Sequence, residues 1–130
     1  MTNRKGYRVL LVDDSKSSRM MVKRMLLNSG IPLEKIYTAE NGQEAMSSLT
    51  EASVDLILTD LVMPVMDGFQ LIEAIKGSEY SSIPIVPVSS LGAKKDIEAF
   101  RRHGIEDYIT KSITQDKLNQ LLCRVLEISR

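Results

Sequence analysis

The sequence carries no excess of either charge: seventeen lysines and arginines balance seventeen aspartates and glutamates. The electrostatic footprint of a nucleic-acid or anionic-membrane binder is therefore missing, and neither is expected as the main partner. Cysteine is nearly absent. The lone Cys123 excludes an internal disulfide, and it falls off the apolar stripe of the last helical segment, where a partly exposed, unreactive thiol is expected. Histidine occurs once, as His103 near a helix end with no other ligand beside it, so a helix-terminus or solvent role is expected rather than metal binding. There is no basic-then-apolar leader and no run of about 18 apolar residues, so we expect a cytoplasmic protein without membrane insertion. Low-complexity linkers and long internal repeats are also missing. What remains is one stretch of 130 residues, expected to form a single domain over residues 1–130 with a continuous apolar core.

Short apolar runs alternate with longer helical patterns along this stretch. Arg8–Val12, Lys35–Ala39, Leu56–Thr59, Ile85–Val88 and Asp107–Ile109 are too short for helices and rich in Val, Ile, Leu or Tyr, which predicts five strands. Helical spacing appears at Lys16–Ser29, Gly42–Glu51, Gly68–Lys76, Lys94–His103 and Thr114–Ile128, the last with Leu118, Leu121, Leu122 and Val125 on one face. This is the βα alternation of an α/β fold. Asn41 with Glu44 three residues on resembles a capping box, although Asn41–Gly42 is also compatible with a hairpin turn; Ile113 and Leu118 can staple a helix capped by Thr114. Gly30 and Gly104 stand where helices should end in a left-handed residue. Pro87 interrupts the fourth run and removes a backbone donor, so a local break or bulge is expected there.

Asp13 and Asp14 follow the first run directly, and Asp60 follows the third. In a parallel sheet with right-handed crossovers, residues just beyond the carboxyl ends of strands gather along one edge, where ligands of open α/β sheets bind. Three acids at such close quarters call for a hard cation with oxygen ligands, and Mg²⁺ is the natural occupant. Ser89 after the fourth run and Lys111 after the fifth bring a hydroxyl and an ammonium to the same edge. Acids, hydroxyl and ammonium are the parts needed to receive a phosphoryl group.

The segments V-L-L-V-D-D-S, L-I-L-T-D-L-V-M-P-V-M-D-G, I-P-I-V-P-V-S-S and D-Y-I-T-K, in this order, resemble the motifs of response-regulator receiver domains of two-component signalling, the CheY-like family, from Val9 to about Leu126. The resemblance implies a doubly wound five-stranded parallel sheet of order 2-1-3-4-5 flanked by five helices, a flavodoxin-like fold. It implies that Asp60 is the phosphoacceptor, taking its group from a histidine kinase, a phosphotransfer protein or a small acyl phosphate. Asp13, Asp14, Asp60 and the backbone carbonyl of Val62 would hold Mg²⁺, Ser89 and Lys111 would bind the phosphoryl group, and Ser89 with Tyr108 would form the switch. Asp67 would cap the third helix, with Met63 and Pro64 shaping the loop before it. Such a chain is a phosphoacceptor switch with its own self-phosphorylation and autodephosphorylation chemistry. It is not a kinase or an enzyme in the ordinary sense.

Two further expectations concern partners and lifetime. On a 100° helical wheel Met21, Val22 and Met25 face inward, while Met20 and Leu27 lie almost opposite and would dock the phosphodonor. Val62 and Leu91, two places beyond Asp60 and Ser89, are aliphatic where a polar residue could orient water, so a long-lived phosphorylated form awaiting a phosphatase is expected. Three positions depart from the family pattern: Ser112 follows Lys111 where proline is usual, leaving cis or trans open; Ser90 replaces Ala or Gly; and Pro87 has been noted. A stand-alone regulator acting on a downstream protein is expected, with a receiver excised from a larger regulator, a non-phosphorylated interaction module and an aspartyl-phosphate hydrolase of the haloacid dehalogenase type as alternatives. The hydrolase places its nucleophile in D-x-D, whereas the acids here are adjacent.

Overall fold

The apolar runs form parallel strands because each alternates its side chains between two helical layers, and both layers are apolar. The computed structural model describes residues 6–89 and 94–127. Its elements run β1 (Tyr7–Val12), α1 (Lys16–Leu27), β2 (Leu33–Ala39), α2 (Gly42–Glu51), β3 (Leu56–Asp60), α3 (Gly68–Lys76), β4 (Ile85–Ser89), α4 (Lys94–Arg102), β5 (Ile109–Thr110) and α5 (Gln115–Val125). All neighbouring strands pair in parallel, in the order β2-β1-β3-β4-β5. Leu10, Val12, Ile57 and Ile85 face one layer, where they meet Ala45, Leu49, Leu71, Ile72, Ile75 and Phe100 from α2, α3 and α4. Val9, Leu11, Leu56, Leu58, Val86 and Val88 face the other, against Val22, Leu26, Leu118, Leu121 and Leu122 from α1 and α5. The doubly wound sheet expected from the motifs is thus the one observed. Among the described residues no helix is long and apolar enough to cross a membrane.

Helix ends follow the polar signals in the sequence. Ser15, Asn41, Asp67 and Thr114 each accept a bond from the backbone N–H three residues on, relieving one of the unpaired donors of a helix start. The box expected at Asn41 is only half made, because the Glu44 carboxylate accepts from the N–H of Glu40, one residue before the cap. The complete reciprocal box lies at Asp67 and Gln70. The hairpin reading of Asn41–Gly42 is excluded, since α2 begins there. Gly104 has a φ of 71°, and the bonds Ile105 N–H to Phe100 C=O and Gly104 N–H to Arg101 C=O close a Schellman motif after α4. Gly30, with a φ of 78°, likewise turns the chain beyond α1.

Four expectations need correction. No break occurs at Pro87, which pairs with Thr59 inside a continuous β4. The Pro84 carbonyl faces β3, where it accepts from Ile57, and the Ser89 carbonyl faces β5, where it accepts from Lys111. By alternation Pro87 faces β5, whose pairing begins only at Val88 with Ile109, so its missing N–H costs the ladder nothing. β5 itself is Ile109–Thr110 rather than Asp107–Ile109, leaving Tyr108 just before the strand. β2 starts earlier, at Leu33, through a register shift that passes over Glu34. In α1 the inward stripe is Val22 and Leu26 with Met25 partly covered, whereas Met21 is 48% exposed. Cys123 is partly buried against the second layer, in keeping with its position beside the stripe.

Candidate functional site

The carboxyl ends of β1 and β3 deliver the acids to one edge of the sheet. Among the described residues Asp13, Asp14 and Asp60 are the group able to share a metal ion, each with a ligand oxygen within 4.8 Å of the others. Asp13 is buried, Asp60 half-buried and Asp14 exposed. One oxygen of each deeper acid is tied to its own loop: Oδ1 of Asp13 accepts the Ser15 N–H at 2.9 Å, and Oδ1 of Asp60 accepts the Leu61 N–H at 2.8 Å. The other oxygens face Lys111, whose Nζ lies 3.9 Å from Oδ2 of Asp13 and 3.7 Å from Oδ2 of Asp60. Hence the free oxygens of both acids converge with the ammonium on one small space.

Burial raises the pKa of Asp60 above the usual carboxylate value, and the nearby Asp13 charge adds to this. The backbone N–H groups of Leu61 and Val62 and the Lys111 charge act in the opposite direction without cancelling it. A half-buried acid crowded by a like charge gains from a cation, and an all-oxygen donor set suits a hard divalent one. The three carboxylates here fit such an ion, Mg²⁺ among them.

Close packing sets the position of Asp60. The Gly68 N–H donates to the Leu61 carbonyl at 2.9 Å, drawing the start of α3 against the end of β3. A Cβ on Gly68 would stand 2.4 Å from the Asp60 carbonyl oxygen, so only glycine allows that approach. Thr59, fully buried, donates its hydroxyl to the same carbonyl at 2.8 Å. Between these contacts the loop carries a three-residue turn in which Met66 N–H donates to the Pro64 carbonyl at 2.7 Å around Val65, at a φ of 67°. The Met66 carbonyl in turn accepts from Gly42 N–H at 2.9 Å, fastening the loop to the start of α2.

Ser89 and Lys111 come together through the sheet: the Lys111 N–H donates to the Ser89 carbonyl at 2.7 Å, and the Ser89 side chain is buried. The Lys111–Ser112 peptide bond, left open by the sequence, is cis. Tyr108 packs its ring on Phe100 with centroids 5.1 Å apart and stays partly exposed. Phe100 also meets Phe69, and Phe69 meets His103, so the rings of Tyr108, Phe100, Phe69 and His103 are in contact in series. Instead of facing only solvent, His103 bonds through Nδ1 to the Glu73 carboxylate of α3. Met20 and Leu27 are exposed on α1, as their place opposite the inward stripe implies; Val62 beside Asp60 is exposed too, and Leu91 and Ser90 lie outside the described residues.

Sequence reading missed Arg19. Its guanidinium donates to the Asp13 carbonyl at 2.6 Å and lies 3.7 Å from the Glu40 carboxylate beyond β2. An arginine one turn into the helix that follows an acid pair was the only available signal, and its reach back to a backbone carbonyl has no signature in residue spacing.

Comparison with known proteins agrees with this geometry. The model of the response regulator receiver domain family matches residues 9–123. The two-component response regulator ORR41 of rice, Oryza sativa subsp. japonica, is 37% identical over 93% of this chain and 95% of its own length. The sensor protein GacS of Pseudomonas syringae pv. syringae is 32% identical over 90% of this chain but only 13% of that protein. Among solved structures, the receiver domain of the sensor histidine kinase PA1611 from Pseudomonas aeruginosa PAO1, with a magnesium ion coordinated in its active-site cleft, superposes with a TM-score of 0.83 at 26% identity, over 94% of this chain and 98% of that one.

Proposed function

The chain belongs to the response-regulator receiver family of two-component signalling, and from that premise we propose that Asp60 accepts a phosphoryl group and thereby switches the protein between two signalling states. The observation that carries this reading is the convergence of the untied oxygens of Asp13 and Asp60 on Lys111, within 3.9 Å. Oδ2 of Asp60 is the nucleophile. It forms the new P–O bond as the bond from phosphorus to the donor's imidazole nitrogen or acyl oxygen breaks, and the electron pair leaves with the donor. An ionised carboxylate requires no general base, so the site has only to position the reactants and spread charge. Lys111 stabilises the equatorial phosphoryl oxygens, and the Ser89 hydroxyl binds one of them as the group arrives. Asp13, Asp14, Asp60 and the carbonyl of Val62 would hold Mg²⁺, which when bound neutralises phosphoryl charge. Movement of Ser89 toward the phosphoryl group makes room for Tyr108 to turn inward, carrying the change to the surface around Phe100.

The phosphodonor is a histidine kinase or phosphotransfer protein that docks on α1 through Met20 and Leu27, and the output is a contact with a downstream protein. The chain acts as a switch, and what catalysis it performs is its own phosphorylation and dephosphorylation. Val62, with Leu91 beyond the described residues, slows hydrolysis by offering no polar group to attacking water, which leaves removal to a phosphatase. Two settings are supported by different relatives. A stand-alone regulator in the cytoplasm is favoured by the match to rice ORR41 along nearly its whole length, and a segment of a larger sensor protein by the match to GacS. Incubation with acetyl phosphate and Mg²⁺, followed by intact mass, tests the central reading. One phosphoryl mass, labile to hydroxylamine and missing in Asp60→Asn, is expected; a label that persists in Asp60→Asn refutes the assignment.

A further inference from the structure

We infer that Arg19 is a positioning residue for the divalent cation site: it holds the Asp13 backbone so that the Asp13 carboxylate stays aimed at Asp60. The inference rests on the reading of Asp13, Asp14 and Asp60 as that site. Asp13 is fixed at three points. Its N–H donates to the Ala39 carbonyl at 3.0 Å, its Oδ1 accepts from Ser15, and its carbonyl accepts from Nη1 of Arg19 at 2.6 Å. The first bond ties Asp13 to the end of β2 and the second to the start of α1. The third closes the circuit, because Arg19 projects from α1 while its Nη2 lies 3.7 Å from Glu40, the residue directly after Ala39.

The guanidinium fork thus spans two loops that only it connects through a side chain among the bonds described above. Arg19 is 15% exposed at its side chain, which restricts it to this geometry. Glu40 stands beside it and offsets its charge, and its hydrogen bond goes to the Asp13 backbone and not to a carboxylate. The contribution is therefore one of orientation. A planar fork presents Nη1 to the carbonyl and Nη2 toward Glu40 in one fixed geometry, which the single nitrogen of a lysine on a flexible stem does not reproduce. Partners that orient metal ligands are typically worth about 10–100-fold in metal affinity when removed. Arg19 grips the ligand's carbonyl and not its carboxylate, which places its effect at the lower end, about tenfold.

The test is a Mg²⁺ titration of the full chain followed by ¹H–¹⁵N NMR shifts, paired with acetyl phosphate labelling at several Mg²⁺ concentrations. Wild type should show saturable shifts at residues of the acidic edge, which Asp13→Asn removes. Arg19→Ala should raise the Mg²⁺ Kd about tenfold, and its labelling deficit should shrink as Mg²⁺ approaches saturation. Glu40→Gln, altered at an exposed side chain, should raise the Kd in the same direction by a smaller factor, and Arg19→Lys should not rescue. A folded Arg19→Ala with the wild-type Kd overturns the inference. If Arg19→Ala does not fold, an unchanged Kd in Glu40→Gln overturns it equally. Wild type that gives no saturable Mg²⁺ shifts overturns the metal site itself, and the inference with it.

Discussion

Replacing Val65 by glycine should stabilise the protein, although it deletes a whole side chain. Val65 sits at a φ of 67°, in the left-handed region, at the centre of the turn closed by Met66 N–H and the Pro64 carbonyl. A turn of that hand is rare and strained, and an L-residue in the left-handed region costs about 1–2 kcal/mol because its Cβ crowds the backbone. The branched Val side chain lies at the upper end of that range. Glycine removes the Cβ but loses about 0.5–1 kcal/mol through the greater freedom of its unfolded chain. Little burial is forfeited, since Val65 is 74% exposed. The net gain is about 1–1.5 kcal/mol, which corresponds to a rise in Tm of about 4–6 °C for a domain of this size. Thermal unfolding followed by far-UV circular dichroism measures it, with Val65→Ala as the control, expected to gain less because the Cβ remains. A lower Tm in Val65→Gly, or a larger gain in Val65→Ala, would refute the assignment of the strain to that backbone angle.

Gly68→Ala should do the reverse: the added Cβ, 2.4 Å from the Asp60 carbonyl oxygen, should cost about 1–3 kcal/mol and slow labelling by acetyl phosphate, and wild-type values for both would show that the contact is slack. Because burial raises the folded pKa of Asp60, the native state holds that proton more tightly than the unfolded chain, so the metal-free fold loses stability as pH rises through the folded pKa. Asp60→Asn should therefore unfold at higher temperature than wild type at pH 7 in EDTA, with the advantage gone below about pH 3.9, the ordinary aspartate value; a mutant less stable at pH 7 contradicts this. Met20→Gln with Leu27→Gln should slow transfer from the cognate kinase and spare acetyl phosphate reactivity, whereas equal loss with both donors would point to damage at the site. Val62→Asn with Leu91→Glu should speed phosphate release from the labelled protein, and an unaltered rate would defeat the proposed water exclusion.

The residues that announced the fold are those whose environment is set by periodicity. Val9 to Val12 and Leu56 to Leu58 are apolar on both faces because helices cover both, so runs of this kind can only be inner parallel strands. Asp13, Asp14 and Asp60 were legible for the same reason, since a polar residue directly after such a run must lie at the strand end. Legibility fails where tertiary contact decides. The core accepts Val22 and Leu26, one turn apart, and leaves Met21 exposed, so the wheel centred the stripe a little off. Tyr108 looked like strand because it is aromatic, yet its ring is held by Phe100 of α4 before pairing with β4 begins. Arg19 was invisible because a long side chain that bonds a backbone carbonyl leaves no repeat to read.

The two margins of the sheet bear on how this protein meets others. On one side β5 is two residues long and offers little backbone for a further strand to pair with. On the other, β2 carries a register shift at its start, the exposed Glu34 and Lys35 follow there, and Lys35 is poised 5.8 Å over the Tyr37 ring. Short edges, irregular pairing and charged side chains are the devices by which sheets refuse edge-to-edge growth. Association by strand addition is disfavoured at both margins, which leaves helix faces and strand-end loops as the surfaces open to contact. A sheet closed off this way does not extend into a larger one by pairing with a second copy of itself.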